Sequence, residues 1–294
     1  MADRVPVAAG DLVDTDWQVE IRGLLLGPGT AWRVGALTGW SSRAVRAEDT
    51  PRASSHGSIP GRDLTNSHTR VLRVNTGMGN RHTTADELVA LRDDLRAAWA
   101  TEAADVPIVY QLGGQKRLRF GRTRDLEVVE DDLTVGYMTV DCEFWDRDGV
   151  EYSAVEHTVA TPPEEPGSGF IPPFIPPFSL PVGTIGSFAA DNAGRSAAPW
   201  RARINGPTNP LDPPFLEHLG TGETLTFTAN GGLEIPAGQW VDIDSASRSV
   251  LLNGTADRRM NLATFSRWFS LAPGPNSVRF AGSGTLDFWW RDAW

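Results

Sequence analysis

Residues 161–181 read TPPEEPGSGFIPPFIPPFSLP, and this run of prolines constrains the fold more than any other stretch of the chain. Proline has no backbone N–H to donate, so neither a helix interior nor a central strand can pass through the segment. Its tandem IPPF tetrapeptides favour an extended, polyproline-like conformation. The sequence therefore predicts a linker over residues 161–182, between an N-terminal domain of residues 1–160 and a C-terminal domain of residues 183–294.

The N-terminal domain is predicted to be a β-rich α+β domain with one main helix. Alternating apolar and polar residues in WQVEI, RVLRV, VPIVYQL and TVGYMTVDCEF are typical of strands, and the first of these places Trp17 on the buried face. The helix is predicted near residues 84–102, because Thr84 and Glu87 form a capping box ahead of leucines at helical spacing. Residues 41–64 lack periodicity and predict a long excursion or loop, of a kind that tends to be functional or to contact a partner.

The C-terminal domain is predicted to be a β-sandwich, which makes the whole chain mainly β. ETLTFT, WVDID, RSVLLNG, RWFSL, SVRF and LDFWW are short strand candidates separated by turn residues. Asn253 and Gly254 predict a hairpin turn. In WFSLAPGPNSVRF, the APGP corner predicts a turn that joins two paired strands, with LDFWW as the last strand packing beside them. Because Pro275 cannot close that turn by hydrogen bonding, the turn should be open or extend towards Asn276.

Charge and cysteine content narrow the classes of function. The net charge is -10, so a phosphate backbone would be repelled and nucleic-acid binding is not expected. No apolar run reaches the roughly 20 residues that span a bilayer, so membrane insertion is not expected either. The single cysteine, Cys142, excludes an internal disulfide and fits a reducing cytoplasm. It alternates with apolar residues and is predicted to be a buried, inert thiol.

Motifs for catalysis are missing, and we predict that the protein is not an enzyme. Asp242 and Asp244 in WVDID face one side of a strand, a spacing compatible with glycosidic acid/base chemistry or calcium binding. Their alternation with apolar residues is, however, typical of any sandwich strand. We therefore predict no catalytic residue, no cofactor and no metal site. The histidines, too, have spacings that no zinc motif uses: His56, His68, His82, His157 and His218.

Tryptophan is abundant, with 11 residues, and exposed tryptophans are one means of binding sugars or proteins. In LDFWWRDAW, strand alternation sends Phe288 and Trp290 to one face, which is predicted to be core. Asp287, Trp289 and Arg291 fall on the other face. Trp289 is therefore the predicted outward contact.

The order of these patterns resembles one protein family across nearly the whole chain. LTGWSSRAVRAEDTPRASSHGSIPGRDL, RVLRVNTGMG and TADELVALRDDLRAAW are similar to the N-terminal domain of the siphophage distal tail protein family. APWRARINGPTNP, GETLTFT, WVDIDSASRSVLLNG, WFSLAPGPNSVRF and LDFWWRDAW are similar to its galectin-like C-terminal domain. His56, Gly57 and Arg62 match the family's His-Gly and Gly-Arg positions, which the resemblance places near the ring-forming excursion.

The resemblance implies a structural tail-tip, or baseplate hub, protein of a long-tailed phage, without enzymatic activity. Its N-terminal domains would form a homohexameric ring beneath the tail tube, from which the galectin-like domains project. The implied partners are further copies of the chain, the tail tube protein, the tape-measure protein, the tail-tip hub protein and, in some phages, receptor-binding proteins. The implied location is the tail tip of a virion assembled in the host cytoplasm.

Two other functions stay open on the sequence. One is a carbohydrate-binding module for host-wall adsorption, with Trp289 as the sugar contact. The other is a glycan hydrolase that uses Asp242, Asp244 or Glu234. Ring formation, glycan affinity lost in Trp289→Ala and turnover lost in Asp242→Asn would distinguish the three readings.

Overall fold

The computed structural model divides the chain into two compact units, Met1–Ala154 and Val155–Trp294. The predicted mainly-β fold is confirmed, because the described elements are strands in antiparallel sheets, one α-helix and two short 3₁₀ turns. The structure describes the following residues: 9–40, 44–47, 50–52, 56, 58–59, 63–66, 68–76, 84–132, 136–161 and 186–294.

The first unit is organised around an eight-stranded antiparallel sheet, in the order β2-β1-β9-β10-β11-β8-β3, with β12 paired to β10. β10 is long enough to pair with β9 over its first part and with β11 over the rest. The strands are β1 (Val19–Ile21), β2 (Leu24–Leu26), β3 (Arg33–Thr38), β8 (His68–Asn75), β9 (Val106–Leu112), β10 (Gln115–Asp132), β11 (Tyr137–Asp146) and β12 (Tyr152–Ser153).

Between β3 and β8 lie two two-stranded antiparallel ladders, which together we call the arm. It contains β4 (Ala44–Ala47), β5 (Thr50–Pro51), β6 (Ser58–Ile59) and β7 (Asp63–Asn66). β4 pairs with β7 and β5 pairs with β6, both antiparallel. Among the described residues the arm strands pair only with each other. Where the structure describes the excursion predicted over residues 41–64, its short runs are thus strands that pair with one another.

The helix α1 (Ala85–Ala98) covers one face of this sheet. Its predicted capping box is confirmed: Thr84 Oγ1 accepts the Glu87 N–H, and the Glu87 carboxylate accepts the Thr84 N–H. The helix ends earlier than the predicted residue 102. Arg22 donates to the carbonyl oxygens of Ala98 and Ala100, and so satisfies the backbone acceptors that a helix end leaves open.

At β1 the predicted burial is wrong for Trp17, which is 51% exposed and has a φ of 68°. The alternate residues Gln18 and Glu20 are buried instead. The cause is the segment before β1, which covers their face: the Glu20 carboxylate accepts the N–H groups of Gly10 and Leu12, both at 3.0 Å. The buried Glu20 carboxylate thus has backbone N–H donors from another part of the chain. The alternation of apolar and polar residues within β1 cannot predict such donors.

The second unit consists of two antiparallel sheets, as a sandwich predicts. The six-stranded sheet has the order β13-β22-β15-β18-β19-β20, and the four-stranded sheet has the order β14-β21-β16-β17. Phe188 of β14 contacts Phe288 of β22, with ring centroids 5.1 Å apart. The strands are β13 (His157–Thr161), β14 (Ser187–Ala189), β15 (Trp200–Asn205), β16 (Phe215–His218), β17 (Glu223–Thr226), β18 (Trp240–Asp244), β19 (Ser249–Leu252), β20 (Ala256–Asp257), β21 (Ser277–Ala281) and β22 (Thr285–Trp290).

The structure divides the chain at a different place from the predicted boundary at residue 160. β13 pairs along its whole length with β22, so residues 155–161 are part of the second unit. Alternation identifies a strand but not the sheet that the strand joins. The predicted linker, residues 161–182, falls almost wholly outside the described residues. Its flanking strands, β13 and β14, both belong to the second unit.

The pairing predicted around the APGP corner is wrong, although the turn itself forms. Asn276 closes it in place of the missing proline N–H: its side chain accepts the Ala272 N–H at 3.0 Å and donates to the carbonyls of Ala272 and Gly274. The residues before the turn form one isolated bridge, Leu271 to Ala198, and no strand. β21 pairs with β14 and β16, and β22 lies in the other sheet. The predicted Asn253-Gly254 hairpin is present between β19 and β20.

Candidate interaction surfaces

The arm carries one of the predicted ring-interface residues within the described part of the structure. His56 lies between β5 and β6, at the far end of the arm from the main sheet, and is exposed. Gly57 and Arg62 lie outside the described residues. The position of His56 is compatible with an interface, but it does not test that role.

Between the β3–β8 ladder and the arm, the described residues on the β3 side are Gly39 and Trp40. The β3–β8 ladder ends at the pair Thr38–Val71, and the β4–β7 ladder begins at Ala44–Asn66. Trp40 is buried, with 2% of its surface exposed, and its Nε1 donates to the Val71 carbonyl at 3.3 Å. The same indole packs edge-on against Tyr110, with ring centroids 4.9 Å apart.

Beside Trp40 lies a buried ionic network centred on Asp146. The Asp146 carboxylate is completely buried and accepts Arg70 Nε at 2.6 Å and Arg119 Nη1 at 2.7 Å. Arg119 also donates to the Glu151 carboxylate, and Glu151 accepts the Tyr110 hydroxyl at 2.8 Å. The four ionic groups carry two positive and two negative charges, so the network is balanced. A balanced arrangement is required where the solvent cannot screen charge.

Two carbonyl groups at the base of the arm are tied to this network. Arg70 Nη1 donates to the Gly39 carbonyl, and Arg119 Nη2 donates to the Trp40 carbonyl at 2.7 Å. Burial, together with the neighbouring Arg119, lowers the pKa of Arg70. Burial also acts to lower the pKa of Arg119, but Tyr110, Glu151 and Asp146 raise it overall. Both guanidinium groups contact the Asp146 carboxylate, which favours their charged form.

The sequence reading missed this network, although a signal for it exists. Arg70 has the same strand parity as the buried Leu72 and Val74. Asp146 has the same parity as the buried Cys142 and Phe144. A charged residue in line with core positions on two adjacent strands indicates a buried ion pair, because an isolated charge would not be tolerated there.

The predicted outward contact, Trp289, lies on the outer face of the six-stranded sheet and is half-buried. Its cross-strand neighbours are Arg201 on β15 and Thr158 on β13. The Arg201 guanidinium is held by Glu156 at 2.6 Å, and Glu156 also lies 3.5 Å from Arg291. The inward positions predicted for β22 are confirmed, because Phe288 and Trp290 are buried. Trp289 is thus presented beside charged side chains that are already paired.

The carboxylates considered for glycan hydrolysis are engaged in structural contacts. Asp242 accepts Arg203 Nε at 2.7 Å and Trp240 Nε1 at 3.0 Å, and the Arg203 guanidinium lies 4.9 Å from the Trp240 ring centroid. Asp244 accepts two backbone N–H groups in the turn after β18, at 2.8 and 3.3 Å. Glu234 is exposed and lies in a loop outside the strands. Two of the three carboxylates therefore serve the sheet and its turn.

In the described ranges, the remaining histidine and cysteine side chains are not brought together into a reactive or metal-binding site. There, no three His, Cys, Asp or Glu side chains are placed to hold a metal ion, and no helix is both long and apolar enough to cross a membrane. His82 lies outside the described residues. His218 is buried and bonds to Asn276 at 2.9 Å, a structural contact. Cys142 is buried as predicted, and burial raises the pKa of its thiol to about 12. A thiol protonated at neutral pH is a poor nucleophile.

Sequence comparison places the second unit in a known class. Residues 193–294 match the family model of the siphovirus-type tail component, C-terminal domain. Among curated proteins, none matches this sequence.

The whole chain has the fold of a particular group of phage proteins. It is similar to the Dit (gp 19.1) protein of phage SPP1, a hub of an adsorption apparatus, with a TM-score of 0.62, 14% identity and coverage of 94% of this chain and 98% of that one. It is also similar to a chain of the phage P2 baseplate in its activated conformation with Ca (TM-score 0.55, 10% identity, 94% and 97% covered). The predicted resemblance to the distal tail family is confirmed by the family match in the second unit and by the fold throughout.

Proposed function

We propose that this protein is a structural hub component of a siphophage tail tip, or baseplate, and that it assembles there as a homohexameric ring. One observation carries the proposal: the fold match to the SPP1 hub protein extends over 94% of this chain and 98% of that chain, so both units have counterparts. The C-terminal family match, at residues 193–294, supports it independently from sequence. Partners in the assembly are the tail tube, tape-measure and tail-tip hub proteins, with receptor-binding proteins as further candidates.

The arm provides a physical reason for self-assembly. A two-stranded ribbon is only marginally stable alone in water. In the described residues the arm strands pair only with each other, outside the eight-stranded sheet. Packing of the arm against a neighbouring copy would cover its exposed edges and satisfy their backbone groups. In a ring of acidic subunits, arginines of one copy would face carboxylates of the next.

The ring is tested by the oligomeric state of the full chain. At micromolar concentration, mass photometry and negative-stain electron microscopy are expected to show a closed hexameric ring. Replacing arm residues 44–66 with a short Gly-Ser turn is expected to leave monomers, because the contact with the neighbour is removed. The control is the thermal transition of the second unit, which the replacement should not change. A full-length protein that stays monomeric at every concentration and does not bind tail tube protein would contradict the proposal.

A second function, carbohydrate binding, is supported by the half-buried Trp289 between Arg201 and Thr158. If this face binds host-wall glycans, Trp289→Ala should weaken the affinity at least about tenfold, since stacking on an aromatic ring is a main source of sugar affinity. Ring formation should not change in this variant. Binding to purified host cell wall gives the measurement, and Trp240→Ala on the same face is the matched control. Absence of glycan binding by the unaltered protein would exclude this function.

A further inference from the structure

The base of the arm is held by side chains where strand pairing to β8 stops. Past Thr38 the next two carbonyl groups, those of Gly39 and Trp40, accept hydrogen bonds from Arg70 and Arg119. These donors come from two different strands, β8 and β10, on either side of β11. Asp146, on β11, binds both guanidinium groups. The backbone at Gly39 and Trp40, the last described residues before the arm, is therefore held by three strands of the main sheet.

An ionic network is a costly way to fill a protein interior. Arg70 and Asp146 have fully buried side chains, and that of Arg119 is 3% exposed. Apolar side chains of similar volume would usually stabilise the fold as well or better, because burying charges removes their hydration. Apolar groups, however, cannot direct two successive carbonyl groups. A guanidinium held by a carboxylate can, since its N–H donors have a fixed planar geometry.

We propose that Arg70 and Arg119, oriented by Asp146, are positioning residues that fix the direction in which the arm leaves the first unit, and that a second copy of this chain recognises the arm in that direction. The recognition step rests on the ring proposed above. The fixing of the arm base does not depend on it. Trp40 is itself buried, and its indole packs against Tyr110 and Phe144 of the main sheet, with ring centroids 4.9 and 6.2 Å apart.

The first test removes one donor and leaves a balanced pair in the core. In Arg119→Met, Arg70 and Asp146 still neutralise each other, and Glu151, which is 25% exposed, can be hydrated. The Trp40 carbonyl loses its donor. The matched control is Arg73→Met, which removes the exposed Arg73–Asp141 pair from the same two strands, β8 and β11.

Two readouts separate positioning from mere stability. Trypsin cleavage after Arg46 or Arg52, measured on monomers under native conditions, should be about tenfold faster in Arg119→Met than in Arg73→Met, as expected when a hydrogen bond from a charged donor is lost. The concentration at which half of the protein is in rings should rise by at least about the same factor. A cooperative thermal transition, close to that of the control, shows that the fold is intact.

Each result decides a separate part of the proposal. Equal cleavage rates in Arg119→Met and Arg73→Met would overturn the role at the arm base. Faster cleavage with unchanged ring formation would overturn the recognition step. If the unaltered protein forms no ring, the proposed function fails, yet the cleavage rates still test the arm base.

A second variant and a measurement on the unaltered chain cover the case in which Arg119→Met does not fold. Arg119→Lys keeps the positive charge beside Asp146 and Glu151, but a single ammonium group lacks the planar fork with which Arg119 also reaches the Trp40 carbonyl, so this variant too should be cleaved faster than Arg73→Met. In NMR spectra of the unaltered protein, the Nη protons of Arg70 and Arg119 should exchange with solvent much more slowly than those of the exposed Arg73, because they are buried and bonded to the two carbonyl groups. Exchange as fast as in Arg73 would overturn the proposal without any substitution.

Discussion

Phe288→Ala is expected to lower the free energy of unfolding of the second unit by about 3–5 kcal/mol, as large truncations of buried aromatics do. Phe288 is 0% exposed and lies where the two sheets meet. Its ring stacks on Trp200, with centroids 5.1 Å apart, and contacts Phe188 of the opposite sheet at the same distance. Alanine would leave a cavity lined by rings that cannot collapse into it. Urea unfolding of the second unit, followed by tryptophan fluorescence, measures the loss.

The matched control for this prediction is Phe265→Ala in the same unit. Phe265 is 67% exposed, so its truncation should change the unfolding free energy by no more than about 0.5 kcal/mol. Equal effects of the two substitutions would show that Phe288 is not central to the core.

Gly194→Ala is expected to cost about 3 kcal/mol or more, at the upper end of overpacking effects, because the obstacle is backbone. A methyl group at this position would lie 1.8 Å from the carbonyl oxygen of Ala293. The same oxygen accepts the N–H groups of Arg195 and Ser196, at 2.7 and 2.9 Å. Relieving the clash would therefore break the contacts that hold the C-terminal residues to this turn. Thermal unfolding of the second unit gives the measurement.

Gly254→Ala separates the steric part of that effect from backbone preference. Gly254 has a φ of 72° and nothing within 4 Å of the added carbon. Its substitution should therefore cost only the roughly 1–2 kcal/mol of the left-handed conformation. A Gly194→Ala variant as stable as Gly254→Ala would contradict the close approach to Ala293.

Local features of the fold were predictable because they depend on neighbours in sequence. Three features follow from residues that are close together in the sequence: the capping box of α1, the Asn253-Gly254 hairpin and the inward-facing positions of β22. The resemblance in motif order then led to the fold class. Among the site predictions, the outward position of Trp289 follows from the same alternation.

Strand partners and buried polar groups were not predictable in the same way. Which strands pair depends on contacts between residues far apart in the chain, so the partners of SVRF and LDFWW were assigned wrongly. Glu20 is buried because the segment at Gly10 and Leu12 covers the polar face of β1, and Trp17 lies before the strand with a φ of 68°. In the sequence, the Asp146 network is visible only as charged residues that share the alternation of buried strand positions. Its hydrogen bonds to the carbonyl groups of Gly39 and Trp40 can be seen only in the three-dimensional structure.

The pairing of β13 with β22 bears on how the second unit can be produced by itself. β13 precedes the proline-rich segment, and β22 ends four residues before the chain does. A fragment that begins at residue 183 or 193 lacks β13 and leaves one side of β22 without its ladder. Unpaired strand edges promote aggregation. A recombinant fragment intended to be soluble should therefore start at Val155, well upstream of the family match.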